Sequence, residues 1–560
     1  MLDIKDILKE CFESEITEEN HLTKKVYLFR YKKYKLKIIF DLDYSKSIPE
    51  FFIQDYSKSD SYYTHIDSNG KICYIAEDNL VWNVNNLEGL VRECCEKMLV
   101  VINSWDTPQK DMELREEFLS YWIEARGNSK FLKVKSFVED FTKFSKLSAS
   151  MQKDMLYLFS DNSDLKNRIA PGVKDDIETY FLPLRKNNEV MPPNPKKKLD
   201  SRSLRKIIIG NLSSSVKKSF GQWCKNKIKN FILIISIPIS EDNTVLIGAM
   251  FNYSKASIPL DGKNKDICNI VPLLVERYDK NYQVNRTSQD FSLTDKKVAV
   301  IGLGSVGSFV SSNLSKMGVS KLLMVDHDYL SVDNISRHYL GVDSLKNNIQ
   351  KVDAMEDRLS NENPNLVIES EGMKFQSLIL SNPSVFDEYD FIISCSGDTM
   401  TNFEINHFFK HKGKPVLYSW LDPYGIAYHN LLIQPQFDGC YMCLNYERGH
   451  LVNNRLSFAA PNQYFEKKLA SCSSSFVPYN VIGASQLANK TIELFLLYVN
   501  NECRDGNIFS SSFGISSQFD KEGYRYSPRY YACLEDSNNL SSTLQNNVSC
   551  PECKEIYDAH

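Results

Sequence analysis

Apolar and polar positions alternate with different periods along this chain, and the changes of period divide it into three regions. The opening residues, MLDIKDILKECFESE, predict an acidic amphipathic helix. The runs KKVYLFRY, KLKIIFDL and PEFFIQD alternate as strands, and after an irregular stretch NLEGLVRECCEKMLVVINSW returns to helical spacing. Residues 1–110 therefore predict a small α+β unit. Residues 111–285 open with helical patterns such as LREEFLSYWIEARG and pass through the Pro- and Lys-rich MPPNPKKKLDSRS. They end in two apolar runs, NFILIISIPI and TVLIGAMFN, which predict strands. No chemistry is legible in this middle region. From 286 to 560 short apolar strands (KKVAVIGLG, KLLMVDHD, NLVIESEG, YDFIISCSG, KPVLYSW) alternate with helical patterns, which predicts parallel βαβ units in an α/β fold. No internal repeat is present.

A length of 560 residues agrees with several domains. With 42% hydrophobic and 25% charged residues and a net charge of -4, the chain offers no basis for a nucleic-acid or membrane surface, so proteins and small molecules are the expected partners. No apolar run approaches the roughly 20 residues that span a bilayer, and the N-terminus lacks the basic start and apolar stretch of a signal peptide. A cytoplasmic location is expected. In such a setting the fourteen cysteines point to metal ligation or thiol chemistry rather than to disulfides.

In VAVIGLGSVGS, Gly302, Gly304 and Gly307 follow a strand and open a helix, so backbone N–H groups and the helix dipole can meet phosphate. Asp326, at the end of the second strand and about 24 residues after Gly302, is placed to accept the hydrogens of a ribose diol. To this point a dehydrogenase fits equally well. Further on, Asn334 and Arg337 lie a turn apart if DHDYLSVDNISRHYL is helical, and Lys351 follows on the next helix. Two cations and an amide can then converge on a phosphate chain whose pyrophosphate leaving group needs neutralising. Asp398 stands just past YDFIISCSG, at the carboxyl end of the sheet, where a magnesium ion bridging phosphates would find a carboxylate.

These motifs, GLGSVGS, the VDHD strand end, NISRH, Lys351 and the GDTMTN turn, together resemble the adenylation domain of ThiF-type activating enzymes. The resemblance implies a Rossmann-like domain that uses ATP and Mg2+ to turn a protein's C-terminal carboxylate into an acyl-adenylate. It assigns Asp326 to the ribose, Asn334, Arg337 and Lys351 to the phosphates, and Asp398 to magnesium, with Asp328 a further residue of the nucleotide site. An arginine ahead of the first strand, often supplied by the dimer mate in this family, falls on Arg286, with Arg277 as the alternative. A homodimer is expected.

Cys440 and Cys443 form one C-x-x-C, and Cys550 and Cys553 form another more than a hundred residues on; each pair supplies half of a tetrahedral thiolate site that Zn2+ closes. ThiF-type proteins have the same arrangement. Between the pairs, the polar segment ahead of VIGASQLANKTIELFLLYV carries one thiol, Cys472. The resemblance makes this the crossover loop bearing the acyl-accepting cysteine, with Cys503 and Cys533 as alternatives.

In the first region, HIDSNGKICYIAEDNLVW resembles the active-site segment of ubiquitin-conjugating enzymes, with Gly70 at the turn, Cys73 at the catalytic position and Trp82 as an aromatic anchor. A thiolate in an irregular, accessible turn can carry an acyl group as thioester and offer it to an amine. That family's His-Pro-Asn triplet falls on Tyr63-Thr64-His65, so His65 stands where an asparagine steadies the oxyanion. It can serve as a donor or help deprotonate the amine. The full order, a conjugating-like domain, a middle linker domain and a ThiF-type domain with a zinc site, resembles the fused proteins of bacterial CBASS antiphage operons. That resemblance implies a cGAS-like nucleotidyltransferase as the activated protein and a lysine-bearing target. The second reading is activation of a ubiquitin-like protein for conjugation or sulfur transfer, with the N-terminal unit a binding module.

Overall fold

The N-terminal alternation folds as an antiparallel meander of β1 (Thr17–Asn20), β2 (Lys24–Tyr31), β3 (Tyr34–Asp41) and β4 (Glu50–Ile53). Along β3 the period of two is clean: Tyr34, Leu36, Ile38 and Phe40 point into the core. Helices Ile4–Phe12 and Leu87–Ser104 cover that face with Ile7, Leu8, Phe12, Val91, Cys95 and Met98; Asp3 and Asn86 cap their first turns. This computed structural model describes residues 3–553 except 22, 42, 44–46, 57–62, 68, 77–79, 126–131, 161–162, 172–176, 186–189, 195, 198, 241–242, 262–267, 346–347, 446–452, 469–474 and 546–549.

The helical pattern LREEFLSYWIEARG breaks into two helices, Gln109–Glu116 and Phe118–Glu124, with Glu117 between them at φ -87°, ψ 12°. Beyond it, seven strands close into a barrel: β5 (Lys133–Phe137), β6 (Ser145–Gln152), β7 (Met155–Phe159), β8 (Glu178–Pro183), β9 (Ile228–Pro238), β10 (Thr244–Ser257) and β11 (Cys268–Arg277). Their order around the barrel is β10-β11-β5-β7-β6-β8-β9. The two apolar runs of the sequence are β9 and β10, the longest strands, and closure removes their edges. Helices Ser201–Gly210 and Ser214–Trp223 pack Leu204, Ile208, Phe220 and Trp223 against the barrel, and the Trp122 indole N–H donates to the Gly248 carbonyl at 3.1 Å. Residues 1–278 form one compact unit and 279–560 the other.

The second unit is built on an eight-stranded sheet of β12 (Lys297–Ile301), β13 (Lys321–Val325), β14 (Val367–Glu371), β15 (Phe391–Ser394), β16 (Val416–Leu421), β17 (Ala427–Ile433), β20 (Ile508–Phe513) and β21 (Ser541–Thr543). A small pair, β18 (Lys467–Lys468) and β19 (Ser475–Phe476), lies outside it. The order is β14-β13-β12-β15-β16-β17-β20-β21, parallel from β14 to β16 and antiparallel from there on. Both faces are covered: helices Ser305–Lys316 and Val481–Val499 enter one core cluster, Phe375–Ser381 and Thr399–Lys412 the other. That is why the parallel strands read as continuous apolar runs. Strand order reverses between β12 and β15, and a crevice opens beyond the carboxyl ends of such strands. No described helix is long and apolar enough to cross a membrane.

Candidate functional site

At the reversal point, steric necessity explains two of the three glycines. Gly302 has φ +90°, and a Cβ on it would stand 2.8 Å from the Cys395 carbonyl; on Gly307 a Cβ would stand 1.8 Å from the Gly302 carbonyl oxygen. Gly304 has open space around it and is the N-cap of helix Ser305–Lys316, with no side chain capping the first turn, so that helix presents unsatisfied N–H groups.

The loop is held from below by two side chains. Asp326 accepts from the Leu303 N–H at 2.6 Å and from the Asp328 N–H at 2.8 Å. His338, which the sequence reading passed over inside the SRHYL motif, is buried. Its Nε2 meets the Leu303 carbonyl at 2.8 Å while its Nδ1 accepts from the Leu340 N–H at 3.1 Å. Burial pushes its pKa down to about 4, so it stands as neutral imidazole at pH 7.

Asp326, Asp328 and Asp398 line one cleft of about 530 Å³, together with Gly302, Lys374 and Ser396. Asp398 is exposed and caps helix Thr399–Lys412 through the Thr401 N–H at 2.7 Å. Lys351, buried, places its ammonium 2.7 Å from Asp328 Oδ2. Burial raises the Asp328 pKa, but the Lys351 bond outweighs it and holds the carboxyl below its usual range. Asn334 is turned inward as a helix cap, accepting from the Ser331 N–H and hydroxyl at 3.2 and 3.1 Å. Arg337 lies over the Tyr479 ring at 5.3 Å, and the Tyr479 hydroxyl pairs with Ser305 at 2.8 Å. Neither Asn334 nor Arg337 lines the cleft. Arg286 is an exposed C-cap of helix Lys280–Asn285, and Arg277 is occupied within the barrel, bonding the Thr244 carbonyl and stacking on Phe141. Lys374 had no motif to announce it; it reaches the cleft as the residue before helix Phe375–Ser381.

The four cysteines of the C-x-x-C pairs converge, all buried, with Sγ separations of 3.6–3.9 Å. A tetrahedron with metal–sulfur bonds of about 2.3 Å has edges of about 3.8 Å, so the cluster fits zinc. No disulfide joins the described cysteines. Lys410 adds a cation 3.3 Å from Cys553 Sγ. Cys472 lies outside the described residues. The alternatives Cys503 and Cys533 are buried, and burial raises both their pKa values, which suits neither to accept an acyl group.

In the first unit Cys73 is exposed. Gly70 sits at φ +87°, where a Cβ would stand 2.8 Å from the Ile53 carbonyl, and its own carbonyl accepts from the Ile53 N–H at 2.8 Å. Trp82 packs against the core of this unit. Across a short antiparallel bridge of Ile66 and Ile72, the Cys73 N–H donates to the His65 carbonyl at 2.8 Å. His65 itself has φ 57°, and its ring Nδ1 lies 2.7 Å from Glu117 Oε1.

Residues 278–518 match the ThiF family and residues 6–131 match Prokaryotic E2 family B. The chain is similar to an ATP-dependent ubiquitin transferase-like protein Cap2 of Pseudomonas aeruginosa (strain BWHPSA011 / Pa011), 25% identical over 469 residues, covering 78% of this chain and 80% of that protein. Cap2 of Escherichia coli (strain TW11681) is 20% identical over 499 residues, covering 80% and 81%. Ubiquitin-like modifier-activating enzyme 5 of Caenorhabditis briggsae is 26% identical over 163 residues, 27% of this chain and 37% of that protein. Among solved structures, E. coli MccB with MccA-N7isoASN aligns with TM-score 0.34 and 14% identity, over 49% of this chain and 69% of that one.

Proposed function

Starting from a chain that joins a ThiF-family unit to a prokaryotic E2 family B unit, and is thus an enzyme of the ubiquitin-activating and ubiquitin-conjugating-like type, we propose the following reaction. The enzyme adenylates the C-terminal carboxylate of a partner protein with ATP, carries the acyl group on Cys472 and then on Cys73, and transfers it to an amine, ordinarily a lysine. The observation that carries this reading is the cleft that Gly302 of the steric glycine loop lines together with the carboxylates of Asp326, Asp328 and Asp398.

Each group has a part in the proposed chemistry. The loop N–H groups and the helix N-terminus receive phosphate oxygens. Asp326, already fixed by the Leu303 and Asp328 N–H groups, has lone pairs left for the ribose. Lys351, joined by Arg337 if its guanidinium leaves the Tyr479 ring, would neutralise the charge that builds on pyrophosphate as the carboxylate attacks the α-phosphorus, and the Asn334 amide would turn from its cap to donate to a phosphate oxygen. Asp398 would hold the magnesium ion, which shields the phosphates. The four buried thiolates would hold a structural zinc that ties residues 550–553 to the sheet. In the relay, each sulfur attacks the acyl carbon, the previous group leaves, and the final amine forms an amide while the Cys73 thiolate regains a proton.

The partner that the sequence resemblance implies is a cGAS-like nucleotidyltransferase in antiviral defence, with a ubiquitin-like protein as the alternative; a homodimer in the cytoplasm completes the proposal. ATP–pyrophosphate exchange tests it. Exchange should require the partner's C-terminus and vanish in Asp398→Ala and Arg337→Ala, whereas reduction of a nicotinamide cofactor would refute it. Cys472→Ala should make adenylate yet load neither thiol, and Cys73→Ala should accumulate the adduct on Cys472. Normal attachment to lysine in Cys73→Ala would leave the first unit a binding module.

A further inference from the structure

The short bridge beside Cys73 stops one residue early on one side. With Ile66 opposite Ile72, the register places His65 opposite Cys73, and one backbone hydrogen bond joins the two residues. The Cys73 N–H makes its half of the pair, to the His65 carbonyl. The His65 N–H does not return it: it donates instead to Glu117 Oε2 at 3.1 Å, while the other oxygen of the same carboxylate takes the His65 ring at 2.7 Å. One carboxylate thus grips both backbone and imidazole of a non-glycine residue in the left-handed region, a conformation that needs such support.

Glu117 is itself fixed. It lies in the break between two helices and accepts from the Tyr121 hydroxyl at 2.7 Å. A second carboxylate, Glu113, stands 3.8 Å from His65 Nε2 and is held by the Thr64 and Ser104 hydroxyls at 3.0 and 2.9 Å. The charged and titratable groups around the ring are therefore Glu113, Glu116 and Glu117 from the helices, Tyr121 behind Glu117, and Cys73 on the facing strand.

We infer that Glu117, seconded by Glu113, is a positioning residue that holds His65 as an imidazolium opposite Cys73, so that His65 stabilises the oxyanion of the departing acyl group as a cationic donor and does not act as the base. This rests on the proposed acyl-carrying role of Cys73. The balance of the step agrees: the amine nitrogen bonds the acyl carbon, the C–S bond breaks, and the amine proton ends on the Cys73 thiolate, so no proton need be lodged on His65. The Glu117 bond raises the His65 pKa, in the same direction as the geometry.

Two measurements on the full chain test it. Diethyl pyrocarbonate modifies only neutral imidazole, and the His65 side chain is 33% exposed, so the pH midpoint of its carbethoxylation, followed by peptide mass spectrometry, reads its charge. The midpoint should lie above the ordinary 6.5 in wild type and return toward it in Glu117→Gln. Separately, Cys73 is acylated with a short glycine-terminated peptide thioester, bypassing ATP, and discharged with free lysine. Glu117→Gln should discharge at least about tenfold more slowly at pH 8 and recover toward wild type as pH falls, whereas an uncharged base would give the reverse trend. Glu113→Gln should shift both readouts in the same direction but less. An ordinary midpoint in wild type, or wild-type discharge in Glu117→Gln, overturns the inference. Failure of wild-type Cys73 to discharge to lysine while the midpoint stays raised overturns the conjugating reading, and leaves Glu117 only a structural clamp.

Discussion

The cleft of the ThiF unit and the thiol face of the E2-like unit each lean on one histidine, and use it in opposite states. His338 is sealed beneath the glycine loop between a carbonyl and an N–H, so the neutral ring is the form that fits. His65 is part-exposed and set between two carboxylates, so the charged ring is favoured. Under the proposed chemistry the difference follows from the task. A phosphate site needs a rigid backbone cradle, which a neutral wedge supports without adding charge, whereas a site where an oxyanion forms gains from a cation nearby. The same contrast appears in accessibility: Gly307 admits no Cβ, yet Cys73 stands open to solvent.

The largest expected effect breaks the rigid side of this contrast. Gly307→Ala drives a Cβ into the Gly302 carbonyl, and pyrophosphate exchange should fall about 10²-fold or more, while alkylation of Cys73 by iodoacetamide keeps its wild-type rate. Next comes the thiolate cluster: Cys550→Ser should lower the melting temperature of residues 279–560 by about 10 °C, since several kcal/mol are at stake and a unit of this size shifts about 2–4 °C per kcal/mol. Residues 1–278, followed by their own calorimetric transition, should not move.

Acidification tests the two histidines with opposite signs. His338 binds its proton near pH 4 when folded and near 6.5 when unfolded. Between those values the unfolded state holds more protons, so the ThiF unit should lose stability as pH falls from 6.5 to 4, by at most about 3.5 kcal/mol at about 1.4 kcal/mol per unit. His338→Gln should flatten that slope in calorimetry. For His65 the folded pKa is raised, so its contribution fades as pH climbs through the raised value and is complete below 6.5; on this account the E2-like unit should gain as pH falls toward 6.5 and then stay level through the window in which the other loses. The smallest effect is Gly304→Ala, whose Cβ meets open space: exchange should stay within about threefold of wild type, and a loss as large as that of Gly307→Ala would show that the cradle is not held by sterics.

By itself the sequence determined the features that depend on neighbours along the chain. The glycine spacing, the strand end at Asp326, the paired cysteines and the Gly70–Cys73 turn are local patterns, and the apolar runs of a sheet covered on both faces are legible wherever both faces are buried. Tertiary structure alone decided the rest. Closure of the barrel joins strands up to about 140 residues apart, with no motif to mark it. Glu113 and Glu117 meet His65 across some fifty residues from a helical stretch that carried no chemical signature, and only the break between two helices turns Glu117 toward the ring. Asn334 and Arg337, legible as phosphate ligands, are turned to a cap and to Tyr479. His338 became a wedge because Leu303 offers it a carbonyl. In each case the charge state and orientation of a side chain depend on which distant groups desolvate or pair with it, and that is fixed by packing in three dimensions rather than by order along the chain.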